Sequence, residues 1–143
     1  MECFFDLKST SGIFPRITYL EYEIVGKRTS VIIDTPDSNY YAEVTGVSIT
    51  QALEDFVKDT ENVVSIISYD IERKLIIMKH EFLNMRKKMQ VNARPIDVIF
   101  NDQTLTIAGK FGDIEDTYRA FFGSCPKTND KISLIKKIYK NLQ

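Results

Sequence analysis

The chain has 143 residues, of which 43% are hydrophobic and 27% charged, with a formal net charge of −1. That length is the usual size of one domain, so a single globular domain spanning 1–143 with a sizeable core is expected, and the composition excludes a disordered chain. The longest apolar runs, "VII" at 31–33 and "LIIM" at 75–78, fall far short of the ~20 residues that cross a bilayer, and the acidic start "MECFFDLKST" lacks the basic opening of a secretory signal; the expected location is cytoplasmic, with no membrane contact.

The first clear element in chain order is "ITYLEYEIV" at 17–25. Its alternation sets Thr18, Leu20, Tyr22 and Ile24 toward a core and Ile17, Tyr19, Glu21 and Glu23 away from it, the signature of a half-buried strand. "GKRT" is a turn, "SVIID" (30–34) a second strand and "YYAEVTG" (40–46) a third, together an antiparallel meander. The period then changes. In "SITQALEDFVKD" (48–59), Ile49, Ala52, Leu53, Phe56 and Val57 fall on one helical face. Ser48 with Gln51 three residues on forms a capping box.

"VVSIISYDIERKLIIMKHEF" (63–82) reads as two strands joined around "DIERK", and "RPIDVIFNDQTLTIAGKF" (94–111) as a second hairpin with Asn101 and Asp102 at its tip. "GDIEDTYRAFFG" (112–123) is a helix capped by Asp113 and closed by Gly123, with Ile114, Tyr118, Phe121 and Phe122 on its apolar face. "DKISLIKKIYKNLQ" is a closing helix that buries Ile132, Ile135 and Tyr139. The expected fold is therefore α+β: antiparallel sheet packed with about three amphipathic helices, in the order strands, helix, strands, helix, helix.

The near-zero net charge hides an asymmetry. Residues 1–72 hold five Lys/Arg against thirteen Asp/Glu, a balance of −8, and residues 73–143 hold fourteen against seven, a balance of +7. Two arrangements produce this. The halves interleave and their charges mix, or the acidic half presents a face to a charged partner.

Signals of chemistry are sparse. Cys3 and Cys125 stand apart, outside any CxxC pair, so two free thiols are expected, and with the single His80 they give no zinc-ligand spacing. Neither metal nor cofactor is expected. His80, flanked at alternate positions by Met78 and Phe82, fits a half-buried strand histidine better than a catalyst. GxSxG, SxxK, GxGxxG and GxxxxGK are all absent. Pro36-Asp37 followed by Glu72-Arg73-Lys74 fits a loose PD…ExK pattern, in which Asp37 and Glu72 would hold a divalent ion and Lys74 assist the attacking water. The basic run Arg86, Lys87, Lys88 and Arg94 could meet phosphates, but Met85 and Met89, not aromatic residues, flank it. A pI of 5.9 argues against nucleic acid as the partner.

The strongest pattern is acidic and aromatic. Glu21, Glu23, Asp34, Asp37 and Glu43 lie on or beside three adjacent expected strands, with Tyr40 and Tyr41 among them. Tyrosine anchors ringed by acids suit a basic protein partner. The leading expectation is a non-enzymatic, protein-binding protein, specifically a bacterial immunity protein that occludes the basic active site of a nuclease-type toxin. The alternatives are a metal-dependent nuclease built on Asp37, Glu72 and Lys74, and a secretion chaperone or adaptor.

Overall fold

The computed structural model describes residues 1–33, 46–99 and 113–143. Within them the chain runs β1 (Glu2–Ser9), β2 (Ile17–Ile24), β3 (Lys27–Ile32), α1 (Ile49–Asp59), β4 (Ser65–Ser68), α2 (Ile71–Asn84), β5 (Arg94–Asp97), α3 (Ile114–Phe122) and α4 (Lys131–Leu142). The strands form one five-stranded sheet in the order β3-β2-β1-β4-β5. The class is α+β, as expected, but the sheet is mixed. β2 is antiparallel to β1 and β3, whereas β1, β4 and β5 run parallel.

The antiparallel expectation fails because of 63–82. Only Ser65–Ser68 is strand, and the anticipated second strand is helix α2, which raises the helices among the described residues to four. Ile71, Ile77, Met78 and Phe82 are buried at helical spacing, but Lys74 and Glu81 lie on the same buried side. Two charges inside the apolar stripe disguise its period. His80 is consequently an exposed helix residue, not a strand residue beside Met78 and Phe82. The expected third strand at 40–46 falls almost wholly outside the described residues, as does the distal part of the 94–111 hairpin with its tip at Asn101 and Asp102. The described part of that hairpin, β5, pairs in parallel with β4.

β1 carries no period in sequence because both of its faces are covered. Cys3, Phe5 and Leu7 pack with Leu20, Tyr22, Leu53, Phe56, Met78 and Phe82, on the side of α1 and α2. Phe4 points the other way, into Ile67, Ile114, Ile132, Ile135 and Ile138, on the side of α3 and α4. The sheet is thus the middle of three layers, and Glu23 is only 7% exposed although it faces away from the first core.

The helix ends follow the expected chemistry. Ser48 Oγ accepts from the Gln51 amide at 3.1 Å. Asp113 accepts from the Asp116 amide at 2.8 Å, and Gly123 closes α3 at φ 72°. Asp130 caps α4 through Ser133.

The two-residue turn between β2 and β3 needs positive φ at both positions. Gly26 suits its φ of 76°; Val25, β-branched and 78% exposed, sits at φ 50°. Val25→Asn is expected to raise stability by about 1 kcal/mol, seen as a higher denaturant midpoint with unchanged slope. A lower midpoint would contradict the strain.

Burial pushes the Cys3 thiol up to about 12 from the ordinary 9.0, with the Asp59 charge adding to it, whereas Cys125 is exposed. A thiol reagent at mildly alkaline pH should titrate one cysteine in the native protein and both in denaturant. Because the folded state holds that proton more tightly, its stabilisation is complete below pH 9 and lost as pH climbs toward 12, at about 1.4 kcal/mol per pH unit. Rapid native labelling of both thiols would contradict this burial.

Candidate functional site

In open sheets with parallel strands, ligands lie outside the carboxyl ends of the strands, where connections diverge to either side. Here that place is the end of β1, with β2 on one flank and β4 on the other. Asp6, near the end of β1, shares its sheet face with Phe4 and stands directly opposite Glu21 of β2. It therefore belongs to the face that α3 and α4 cover. Lys74 belongs to α2, whose apolar residues fill the opposite core.

The Lys74 amine nonetheless reaches Asp6, at 2.8 Å. It does so beside the last residue of β4, donating to the Ser68 hydroxyl at 3.0 Å and standing 3.2 Å from the centre of the Tyr69 ring. Lys74 is 0% exposed and Asp6 3%. Burial drives the Lys74 amine below the usual lysine range, and Asp6 opposes that shift. The same burial, with the Asp6 charge, raises the Tyr69 phenol. The start of α2 is fixed from β5: the Asp97 carboxylate accepts the Ile71 amide at 3.0 Å and the Ile99 amide at 2.8 Å. Asp70, at φ 50°, makes the sharp entry into the helix and pairs with Arg73 at 2.6 Å.

A second ionic group lies on the same face. Arg28 of β3 contacts Glu21 at 3.5 Å, Glu23 at 3.4 Å and Asp130 at the start of α4, and Lys136 of α4 pairs with Glu23. Burial raises the Glu21 carboxyl against the pull of Arg28. Burial also acts to raise Asp130, but hydrogen bonds from Arg28 and Ser133 outweigh it and hold that carboxyl below its ordinary range.

The other buried charge of α2 organises the loop between β1 and β2. Glu81 accepts from Arg16 Nε at 2.7 Å and from the Ile17 amide at 3.3 Å. The loop is closed on itself by Thr10 N donating to the Arg16 carbonyl at 2.8 Å and Arg16 N donating to Thr10 Oγ1 at 2.9 Å. Between those pins Ile13 is 88% and Phe14 80% exposed. Beside them a cleft of about 650 Å³ separates the loop from α2, lined by Thr10, Ile13, Pro15, Arg73, Ile76 and His80 among others.

Of the expected docking residues, Glu21 and Glu23 are engaged in the internal network just described. Asp34, Asp37, Tyr40, Tyr41 and Glu43 lie outside the described residues. Glu72 is exposed and Lys74 fully buried. Both lie on α2 and not at the strand joint expected around "DIERK", and two residues apart on a helix their side chains diverge. Among the described residues, no three His, Cys, Asp or Glu side chains form a group that could hold a metal ion. Arg86, Lys87, Lys88 and Arg94 sit around the connection from α2 to β5, where Lys87 pairs with Glu54 at 2.6 Å. No helix among the described residues is long and apolar enough to cross a membrane. No family model matches the chain, and no curated protein matches it.

Sequence reasoning missed Asp6, Ile13 and Phe14 and gave Lys74 the wrong setting. The available signals were a carboxylate inside the apolar run "CFFDL" and charges on the apolar stripe of a helix. Removing one member of the pair leaves a buried, uncompensated charge or an unpaired amine. Asp6→Leu and Lys74→Met are each expected to cost about 3–5 kcal/mol, and the double variant to recover most of that loss. A denaturant-based double-mutant cycle checks this; strictly additive losses would contradict the pairing.

Proposed function

We propose that this protein acts without catalysis, by docking onto a protein partner through the β1–β2 loop and the exposed side of α2. The carrying observation is the pair Ile13 and Phe14, almost fully exposed on a loop held at both ends. Large apolar side chains left uncovered among the described residues suit an interaction surface. An aromatic anchor on a pre-ordered loop also loses little conformational entropy when it is buried. The strand-end position favoured for a ligand site holds the closed Lys74–Asp6 pair instead, which supports a binding role over a catalytic one.

Neutralising a nuclease-type toxin is the specific form of this reading that the acidic half suggests. In that form the acids Asp34, Asp37 and Glu43 would steer a basic partner and Tyr40 and Tyr41 would anchor it, and Glu21 and Glu23 would contribute through Arg28 rather than as free acids. The test has two arms. Pure protein incubated with Mg²⁺ or Mn²⁺ and DNA or RNA should leave the nucleic acid intact. Capture from the native host should yield a stoichiometric partner that Phe14→Ser loses, that rebinds wild type when purified, and that Phe14→Ser fails to bind at an unchanged melting temperature. Cleavage of nucleic acid, or equal binding by the variant, would overturn the proposal.

A further inference from the structure

We infer that the connection from α2 to β5 captures an extended, acidic peptide by strand addition, the peptide lying in the cleft between that connection and α1. This surface is separate from the β1–β2 loop and does not depend on the role proposed for that loop. Lys88 to Ala93 already has the side-chain pattern of a strand. Met89, Val91 and Ala93 pack against the first core, while Lys88, Gln90 and Asn92 are exposed. The segment is held at both ends. Lys87 N donates to the Phe82 carbonyl and Arg94 N to the Val64 carbonyl, each at 2.9 Å, and the Lys87 amine pairs with Glu54 of α1 at 2.6 Å. Between those points, no backbone amide or carbonyl from Lys88 to Ala93 forms a hydrogen bond among the described residues. A strand in this state is a template for another strand.

A cleft of about 620 Å³ runs beside the segment. Val57, Val63, Phe82 and Ala93 supply its apolar lining, which suits the alternate side chains of a bound strand. The charges set the sign of that strand. Lys58 and Lys88 line the cleft, and Arg86 starts the same connection; all three are exposed, and none forms an ion pair among the described residues. Against them stands the exposed carboxylate of Glu61, since Glu54 is engaged by Lys87. The surplus is cationic, so acidic side chains fit the rim. The free main-chain groups favour a peptide over a nucleic acid. A phosphodiester can accept from the amides, but it offers no donor to the carbonyls, whereas a peptide strand satisfies both.

The probe is a short capped peptide alternating glutamate with valine, added to the full chain and followed by fluorescence anisotropy and by amide shifts in NMR. Binding should move the amides from Lys88 to Ala93 and those of the C-terminal half of α1. N-methylation of alternate peptide nitrogens should weaken binding by about tenfold or more, because several main-chain hydrogen bonds are lost at once. Lys88→Glu should weaken it by about tenfold and Glu61→Gln should strengthen it, both at exposed positions and with unchanged melting temperature. No binding of the glutamate peptide at millimolar concentration would overturn the inference, because strand addition takes its affinity from the main chain and tolerates sequence. Equal binding by the N-methylated peptide would also overturn it, as would shifts that map elsewhere. A single-stranded oligonucleotide that binds more tightly than the peptide, and is lost in Lys88→Glu, would assign the basic rim to nucleic acid and reject the peptide.

Discussion

The fold depends on one buried ion pair that joins its layers. Lys74 starts on a helix of the first core and ends against Asp6 on the opposite face of the sheet. That path exists only because β4 stops at Ser68, whose hydroxyl and following Tyr69 ring surround the amine. Water is excluded, so both charges are hydrogen-bonded or lose several kcal/mol. The pair therefore fixes where α2 sits along the sheet more than it adds net stability. Glu81, seven residues further on, does the same for the other end of the helix through Arg16. Between these two attachments the β1–β2 loop is held in one place, and this gives the exposed Ile13 and Phe14 a defined geometry.

Ion pairs of this long-range kind also tie the two halves of the chain together. Asp6–Lys74, Arg16–Glu81, Glu23–Lys136, Glu54–Lys87 and Arg28–Asp130 all join a residue before 73 to one after it. In three of the five the first half contributes the acid. In the other two it contributes the base, so these five pairs interleave the halves but carry only one unit of the first half's excess of acid. Pairs of this kind constrain which segments meet, because a misplaced helix would bury an unpaired charge.

Local chemistry was legible in the sequence, and long-range chemistry was not. The strand at Ile17–Ile24, the helix capped by Ser48, the helix between Asp113 and Gly123 and the closing helix all follow from short-range period and capping. β1 was missed because burial on both faces removes alternation from "ECFFDLKS". α2 was misread because Lys74 and Glu81 interrupt its apolar stripe, and their partners lie 68 and 65 positions away. The parallel pairing of β1 with β4 leaves no local mark at all. Within the candidate site, Lys74 was singled out for a nuclease pattern at an expected strand joint, where the chain instead forms α2. Phe14 and Ile13 gave no signal, because whether an apolar loop residue is covered depends on the tertiary structure.

Lys74 is sealed at the end of β4 against Asp6, with its ammonium inaccessible to solvent. Nitrogen-detected NMR of the lysine side chains addresses it directly. One ammonium resonance with slow hydrogen exchange is expected, shifted by the Tyr69 ring and lost in Lys74→Met. Lysine ammonium signals that all exchange rapidly with water, with no contact to the Tyr69 ring, would contradict it.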